Sequence, residues 1–374
     1  MWLRWQQFKV DPSTGHFFPG NKPEWLLETE KFCRFWFSSE PFWTCRTSGS
    51  TSAPKSIQLS REAIVHSARA SLDFFRFNPE KEGFALLLPA QAAGGFMLLA
   101  RAFLAEMDVL LLPPKNESLR AENFPPDKKW FTPLLPLQLQ RLLSGTDTEK
   151  ISAAMSGILL GGGPLEASVA SQLHRLRCPV FHSYGMTETA SHIALRKIHP
   201  GKEEKAFRTL DGISCRLTSD GCLEISAPEI TGTHWLQTRD LAEINPDGSF
   251  VITGRADNRI NSGGLKIQPE SEKERLAKLL PQSLQDMELT GLPDAELGEK
   301  LVMVLFRPPE GAVNEIAKLL KNISDPDWRR RLPRSVICLN EERPLLPGGK
   351  TDFKELRRKI QEISPAIHSP ENQK

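Results

Sequence analysis

Five stretches of the chain concentrate residue types that handle phosphate, metal and carboxylate. The first, TSGSTSAPK, runs from Thr47 to Lys55. Small residues let a backbone come close to a polyanion, hydroxyls and free N–H groups donate to phosphate oxygens, and Lys55 adds a charge. Pro54 stands directly before that lysine, so this is not the Gly-x-x-x-x-Gly-Lys-Ser/Thr loop of Walker-type sites. In the second stretch, SYGMTETASHIA, Thr187 and Glu188 follow Gly185 closely. A carboxylate there suits Mg²⁺, which prefers oxygen ligands and often shares them with nucleotide phosphates. The third, TRDL, puts Asp240 on an expected short loop, where it could accept from two ribose hydroxyls. The fourth, GRADNRINSGGLKI, offers Arg255, Asp257 and a Gly-Gly pair, and the fifth, PLLPGGKTD, sets Lys350 at the tip of a Pro/Gly loop. Each has a plainer alternative: a surface turn, a capped helix, a solvated charge or a linker. Their occurrence together, in this order, favours one nucleotide site.

The patterns around these stretches predict an α/β protein. LSREAIVHSARASLDFF has helical spacing and starts at a Ser cap, Ser60. GFALLLPA reads as a buried strand, GFMLLARAFLAEM as a helix and DVLLLPP as another strand. Strand and helix patterns keep alternating through SGILLGGGPLEASVASQLHRL and CPVFHSYGMTETAS, which favours a mainly parallel sheet covered by helices. From about Asp211 to Gly254 the pattern changes to hairpins with Asp-Gly turns, CRLTSDGCLEIS and AEINPDGSFVITG. A smaller mixed unit follows and ends in the amphipathic helix DFKELRRKIQEI. The expected division is a large domain over 1–256 and a small α+β domain over 257–374. Residues 1 to 40 are rich in Trp and Phe without clear periodicity.

Composition narrows the class. The 374 residues suffice for two or three domains with a substantial core. Lys and Arg number 48 against 46 Asp and Glu, and no basic tract points to nucleic acid. The most apolar region, Phe84 to Pro114, is broken by Gln91, Arg101, Glu106 and Asp108, which a membrane span would not tolerate. Six scattered cysteines without Cys-x-x-Cys, and a start with no apolar signal core, lead to the expectation of a cytoplasmic protein.

In this order the motifs resemble the adenylate-forming superfamily of acyl-CoA synthetases, aryl-CoA ligases, luciferases and peptide-synthetase adenylation domains, over Thr47 to about Leu356. The resemblance implies a large domain hinged to a small mobile one. It implies activation of a carboxylate with ATP and Mg²⁺ as an acyl-adenylate, followed by transfer to CoA. On this resemblance Thr47, Ser48, Gly49, Ser50, Thr51 and Lys55 would wrap the β- and γ-phosphates. Gly161 and Gly162 of GGGP, with Ser183, Tyr184 and Gly185, would flank the adenine. Thr187 would touch the α-phosphate, Glu188 would bind Mg²⁺, and Asp240 would hold the ribose with Arg255 nearby. Asp257 sits at the hinge position, and Lys350 would bridge the carboxylate and the α-phosphate.

Within the superfamily, SREAIVHSARAS, LPAQAAGGFMLLARAF and YGMTETASHIALR look like the o-succinylbenzoate–CoA ligases of menaquinone biosynthesis, in their short bacterial form. These often carry a basic residue where Arg101 stands, six positions after Gly95. Arg101 would suit a dicarboxylate, with one carboxylate activated and the other anchored; its alternative is a helix-surface arginine. His192 could line the same pocket or cap a helix. Ser52 and Arg239 stand where the family usually has glycine, and Ala92 stands where it often has His or an aromatic. Only 46 residues precede the phosphate loop, so the large domain is expected to be shortened at its start and a sheet edge to need covering, by the Trp-rich segment or by a second subunit. Ligation of another aryl or fatty acid, or non-catalytic nucleotide binding, are the competing readings; homo-oligomerisation is left open.

Overall fold

The computed structural model describes residues 1–46, 56–198, 205–346 and 349–363. The phosphate-loop residues Thr47 to Lys55 therefore lie outside the described residues. The chain forms two compact units. The first comprises Met1–Arg216, Glu224–Gln237 and Ile244–Val251, and the second Leu217–Leu223, Thr238–Glu243 and Ile252–Lys374.

The first unit is built on nine strands. They are β1 (Leu3–Trp5), β2 (Phe8–Val10), β5 (Glu82–Leu86), β6 (Val109–Leu111), β7 (Lys129–Leu134), β8 (Met155–Leu160), β9 (Val180–Gly185), β10 (His192–Ile198) and β11 (Arg208–Thr209). Between them, β3 (Phe42–Arg46) and β4 (Ser56–Ser60) form a separate antiparallel pair. The sheet order is β11-β10-β9-β8-β7-β5-β6-β1-β2. Its centre, β9 to β1, is parallel, as the alternating pattern predicts. Helices α1 (Glu24–Trp36), α2 (Arg61–Phe75) and α3 (Ala93–Leu104) belong to this unit. The cap expected at Ser60 is present, its Oγ accepting from Ala63 N at 3.1 Å. β5 stops at Leu86, short of the expected run to Ala90, and Pro89 has no N–H to extend a ladder. α3 stops at Leu104, and Glu106 takes a positive φ of 52° at the turn into β6.

The aperiodic start covers the sheet edge. β1 pairs in parallel with β6, and β2 folds back on β1. Arg4 pins the pair, its guanidinium reaching Asp108 and Asp127 at 2.6 Å each. Leu3 is fully buried. Three-residue strands carry too little periodicity to be read from sequence alone.

Four further strands, β12 (Ser214–Leu217), β13 (Cys222–Ser226), β14 (Leu236–Ile244) and β15 (Phe250–Arg255), form a sheet in sequence order. The second unit adds β16 (Ile260–Ser262), β17 (Leu265–Ile267), β18 (Met287–Asp294), β19 (Gly298–Phe306) and β20 (Ser335–Leu339). Here β19 is buried on both faces. Leu301, Met303 and Leu305 pack with Ile260, Leu276 and Ile316, while Val302, Val304 and Phe306 pack with Leu356 and Ile360 of the last helix, Phe353–Ile363. No helix among the described residues is long and apolar enough to cross a membrane.

If β1 closes the edge by burial, Leu3→Ala should lower stability by about 2–4 kcal/mol, the range for a buried leucine truncation. Urea unfolding measures this, and a loss below about 0.5 kcal/mol, the usual surface value, would contradict the assignment.

Candidate active site

Several candidate site residues of the first unit gather where β9 reverses into β10. The pairing His192↔Gly185 is followed by a register shift before Ala194↔Tyr184. A Cβ on Gly185 would overlap the Ser191 carbonyl oxygen and lie 2.5 Å from His192 Cα, so only glycine lets the strands meet here. The connecting turn holds Thr187 to Thr189. Thr189 Oγ1 accepts from Met186 N at 3.1 Å and donates to Ser191 O at 2.7 Å. Ala190 is driven to φ 57° while fully buried, a strained conformation for a residue with a Cβ. The turn presents Glu188 exposed, with no hydrogen bond or ion pair to any described residue. Glu188 stands close enough to Cys45 of β3 to help raise its thiol, which burial chiefly pushes up to about 11. Its carboxylate is thus near the strand that leads into Thr47.

Arg101 projects from α3 into the same region. It is 4 % exposed, so it is not a helix-surface arginine. Its Nη2 donates to Ser191 Oγ at 2.7 Å and meets His192 Nδ1 at 3.3 Å. His192 is likewise buried and opens β10 rather than capping a helix. A guanidinium only donates, so Nδ1 is the lone-pair nitrogen and His192 Nε2 carries the proton. That Nε2–H and Arg101 Nε–H are both buried without partners. Among the described residues no carboxylate lies within ion-pair distance of Arg101. Burial alone pushes the Arg101 pKa down to about 9. Burial, followed by the Arg101 charge, holds His192 well below its usual value, so its ring is neutral. Two buried donors without hydrogen-bond partners thus sit beside a buried cation that has no counter-ion among the described residues.

The glycine run and the SYG stretch come together at the C-terminal ends of β8 and β9. Ser183 Oγ donates to Leu160 O at 2.8 Å, and a Cβ on Gly161 would lie 3.0 Å from Ser183 Oγ. His182, which the sequence reading passed over, ties the run down. Arg196 donates to its Nδ1 from Nε at 3.2 Å and meets it again through Nη2 at 2.9 Å. Nε2–H therefore donates to Gly163 O, at 3.0 Å. Tyr184 stands edge-on to Phe250, ring centroids 5.3 Å apart.

The second unit brings together Asp240, Arg255, Asp257 and Lys350. Asp240 lies within β14, not on the short loop expected, because the chain runs straight from Leu236 to Ile244. Arg255 Nη1 donates to Asp240 Oδ1 at 2.8 Å, and its Nη2 to Asp257 Oδ2 at 3.0 Å. Arg239 adds a bond to Asp257 Oδ1 at 2.8 Å. Burial would raise the Asp257 carboxyl, but the two guanidiniums outweigh it and hold it below the usual range. Lys350 feels both charges: surrounding protein lowers its pKa, Asp240 works against that and Arg255 adds to it. The side chain itself is exposed to water.

Comparison with known proteins follows the same lines. The family model described as AMP-binding enzyme matches residues 37–226. The chain is 24% identical over 365 residues to a 2-succinylbenzoate–CoA ligase of Bacillus cereus (strain Q1), covering 89% of this chain and 73% of that protein. A 2-succinylbenzoate–CoA ligase of Salmonella typhimurium is 27% identical over 333 residues, with coverage of 84% and 67%. Among solved structures, an acyl-CoA synthetase (AMP-forming)/AMP-acid ligase II-like protein from Dyadobacter fermentans aligns with TM-score 0.59 and 29% identity, over 93% of this chain and 97% of that one. The O-succinylbenzoate Coenzyme A Synthetase from Bacillus subtilis, in complex with ATP and magnesium ion, shares the fold with TM-score 0.69 at 21% identity, over 84% of this chain and 69% of that one.

The buried histidines predict an acid sensitivity. His182 titrates near 4, lowered by burial and then by Arg196. An unfolded histidine titrates near ~6.5. Between these values the unfolded chain binds more protons, so stability is complete above about 6.5 and falls as pH drops toward 4, by at most ~1.4 kcal/mol per pH unit per histidine. His182→Gln should flatten that slope in urea titrations from pH 7 to 4.5; an unchanged slope would show His182 to be uninvolved.

Proposed function

Because the chain belongs to the AMP-binding enzyme family as an adenylate-forming CoA ligase, we propose that it activates o-succinylbenzoate with ATP and passes the acyl group to CoA. The observation that carries this reading is Arg101. Its buried guanidinium, which has no counter-ion among the described residues and an unpartnered Nε–H, and the neighbouring His192 Nε2–H are complementary to a second carboxylate that is anchored rather than activated. A fatty-acyl chain would leave both donors stranded. Gly95 opens the pocket wall in this reading: a Cβ there would overlap the Pro89 carbonyl oxygen, so the helix that carries Arg101 packs directly on the preceding loop. Names of the relatives agree with the substrate class.

The remaining roles follow the same reading. Thr47, Ser48, Gly49, Ser50, Thr51 and Lys55 hold the β- and γ-phosphates. Gly161, Gly162, Ser183, Tyr184 and Gly185 flank the adenine, Thr187 faces the α-phosphate, and Asp240 with Arg255 holds the ribose. A carboxylate and a polyphosphate repel each other, and Lys350 lowers that barrier by placing positive charge between them. Mg²⁺, when bound, neutralises phosphate charge. The donor set fits it: Glu188 offers an exposed carboxylate with no hydrogen bond or ion pair to a described residue, and Mg²⁺ prefers oxygen ligands. Asp257 serves as the hinge between domains 1–256 and 257–374.

Two measurements test the assignment. Arg101→Ala should lower kcat/KM for o-succinylbenzoate by about 30- to several-thousand-fold, the equivalent of ~2–5 kcal/mol for a stranded charge. ATP–pyrophosphate exchange with the monocarboxylate 4-phenyl-4-oxobutanoate should change far less. Equal loss with both acids would make Arg101 structural, and wild-type preference for the monocarboxylate would overturn the substrate. Separately, Glu188→Gln should raise the Mg²⁺ concentration for half-maximal rate; an unchanged Mg²⁺ dependence removes Glu188 from the metal site.

A further inference from the structure

Glu288 of β18 is buried in the second unit, and one of its oxygens gathers three donors. Its Oε1 accepts from Lys273 Nζ at 3.0 Å, Arg343 Nη1 at 2.9 Å and Thr351 Oγ1 at 2.7 Å. Two of these donors are the limbs of the segment that carries Lys350. Arg343 stands immediately before Pro344, and Thr351 follows Lys350 directly. Arg343 Nη2 also reaches Asp286 Oδ1 at 2.6 Å, which fixes the upstream limb to the start of the same strand.

The backbone closes the neck above this clasp. Leu345 and Thr351 form an antiparallel bridge. Leu346 N donates to Lys350 O at 2.8 Å, Gly349 N to Leu346 O at 2.8 Å, and Asp352 N to Pro344 O at 2.9 Å. The loop therefore has a rigid base, and the base rests on one buried carboxylate. Charge-assisted bonds to such a group are the strong class, and removing its charge leaves two cations facing a neutral acceptor.

We infer that Glu288 is a positioning residue for Lys350: it clasps both limbs of the loop and so fixes where the amine stands. This rests on the reading of Lys350 as the adenylation lysine. A displacement of about 1 Å at a reacting group costs on the order of 10²-fold in rate. A carboxylate that never meets substrate thus controls one half-reaction, because only adenylation uses the amine.

The test compares full-length wild type, Glu288→Gln, Thr351→Val and Lys350→Ala. Thr351→Val removes one clasp donor at nearly constant shape, which guards against a folding defect in the first variant. Hydrogen exchange at the Leu346 and Gly349 amides needs no substrate. It should speed up by about 10-fold or more in Glu288→Gln, and less in Thr351→Val, while β18 and β19 keep their rates. Pyrophosphate release with ATP and o-succinylbenzoate should fall about 10- to 100-fold in Glu288→Gln, while CoA-ester formation from pre-formed o-succinylbenzoyl-adenylate changes less than about 3-fold. Unchanged exchange in both variants overturns the clasp. Equal loss in the two half-reactions overturns the positioning role and makes Glu288 structural. Full pyrophosphate release by Lys350→Ala overturns the Lys350 reading, a failure that the exchange rates separate from that of the clasp.

Discussion

Everything in the first unit's site depends on how closely β9 approaches β10 at Gly185. The sheet is parallel up to β9, and a parallel strand delivers its C-terminal end into a crevice rather than into a turn. The chain then reverses within six residues, Met186 to Ser191, and returns antiparallel. With no Cβ at Gly185, the backbone of Ser191 and His192 takes the space a side chain would fill. That reversal puts Glu188 on the exposed side and Ser191 and His192 on the buried side, against Arg101. The strained Ala190 marks the cost of the turn, and the Thr189 bonds hold it.

Two arginines in this unit, Arg101 buried and Arg196 half-buried, differ in how the fold engages their charge. Arg196 lies over the Phe207 ring at 4.8 Å, donates to His182 Nδ1 and to Lys205 O, and so is fully engaged by the fold. Arg101 has one hydroxyl, one imidazole nitrogen and a buried Nε–H without a partner. Folding gains nothing from burying a guanidinium in that state, since removing a charge from water costs several kcal/mol even after relaxation. The first arginine is held by the fold through His182, Lys205 and the Phe207 ring. The second keeps a buried N–H without a partner among the described residues.

In the second unit, electrostatics does a different task. Arg239, Asp257, Arg255 and Asp240 form an unbroken chain of charge-assisted bonds. Exposed pairs of this kind are individually weak. Their value lies in geometry: each guanidinium orients a carboxylate, and Asp240 and Asp257 become parts of one network. The buried Glu288 network is the stronger counterpart, because its carboxylate cannot exchange protein donors for water.

Residue types and their spacing alone were enough for the fold class, the alternation that builds the parallel sheet, the Ser60 cap, the Asp-Gly hairpins and the positions of the chemistry-bearing motifs. These are local matters, settled by periodicity and by residue types with few conformational options. The sequence also singled out Arg101 and His192 as candidates. It could not tell a surface arginine from a buried one, because a 12-residue helix that is apolar almost all round gives no face to choose. It took the folded chain to bring Arg101 against Ser191 and His192 across 90 residues, and to set His182 under the glycine run. The edge strands at Leu3 and Phe8 were beyond reading, since three residues define no period. Glu288 was invisible for the same underlying reason. A buried carboxylate in a β-strand looks like any other glutamate until Arg343 and Thr351, more than fifty residues away, fold onto it. Long-range contacts between polar groups leave no periodic trace in sequence, and those contacts are what fix a site's geometry.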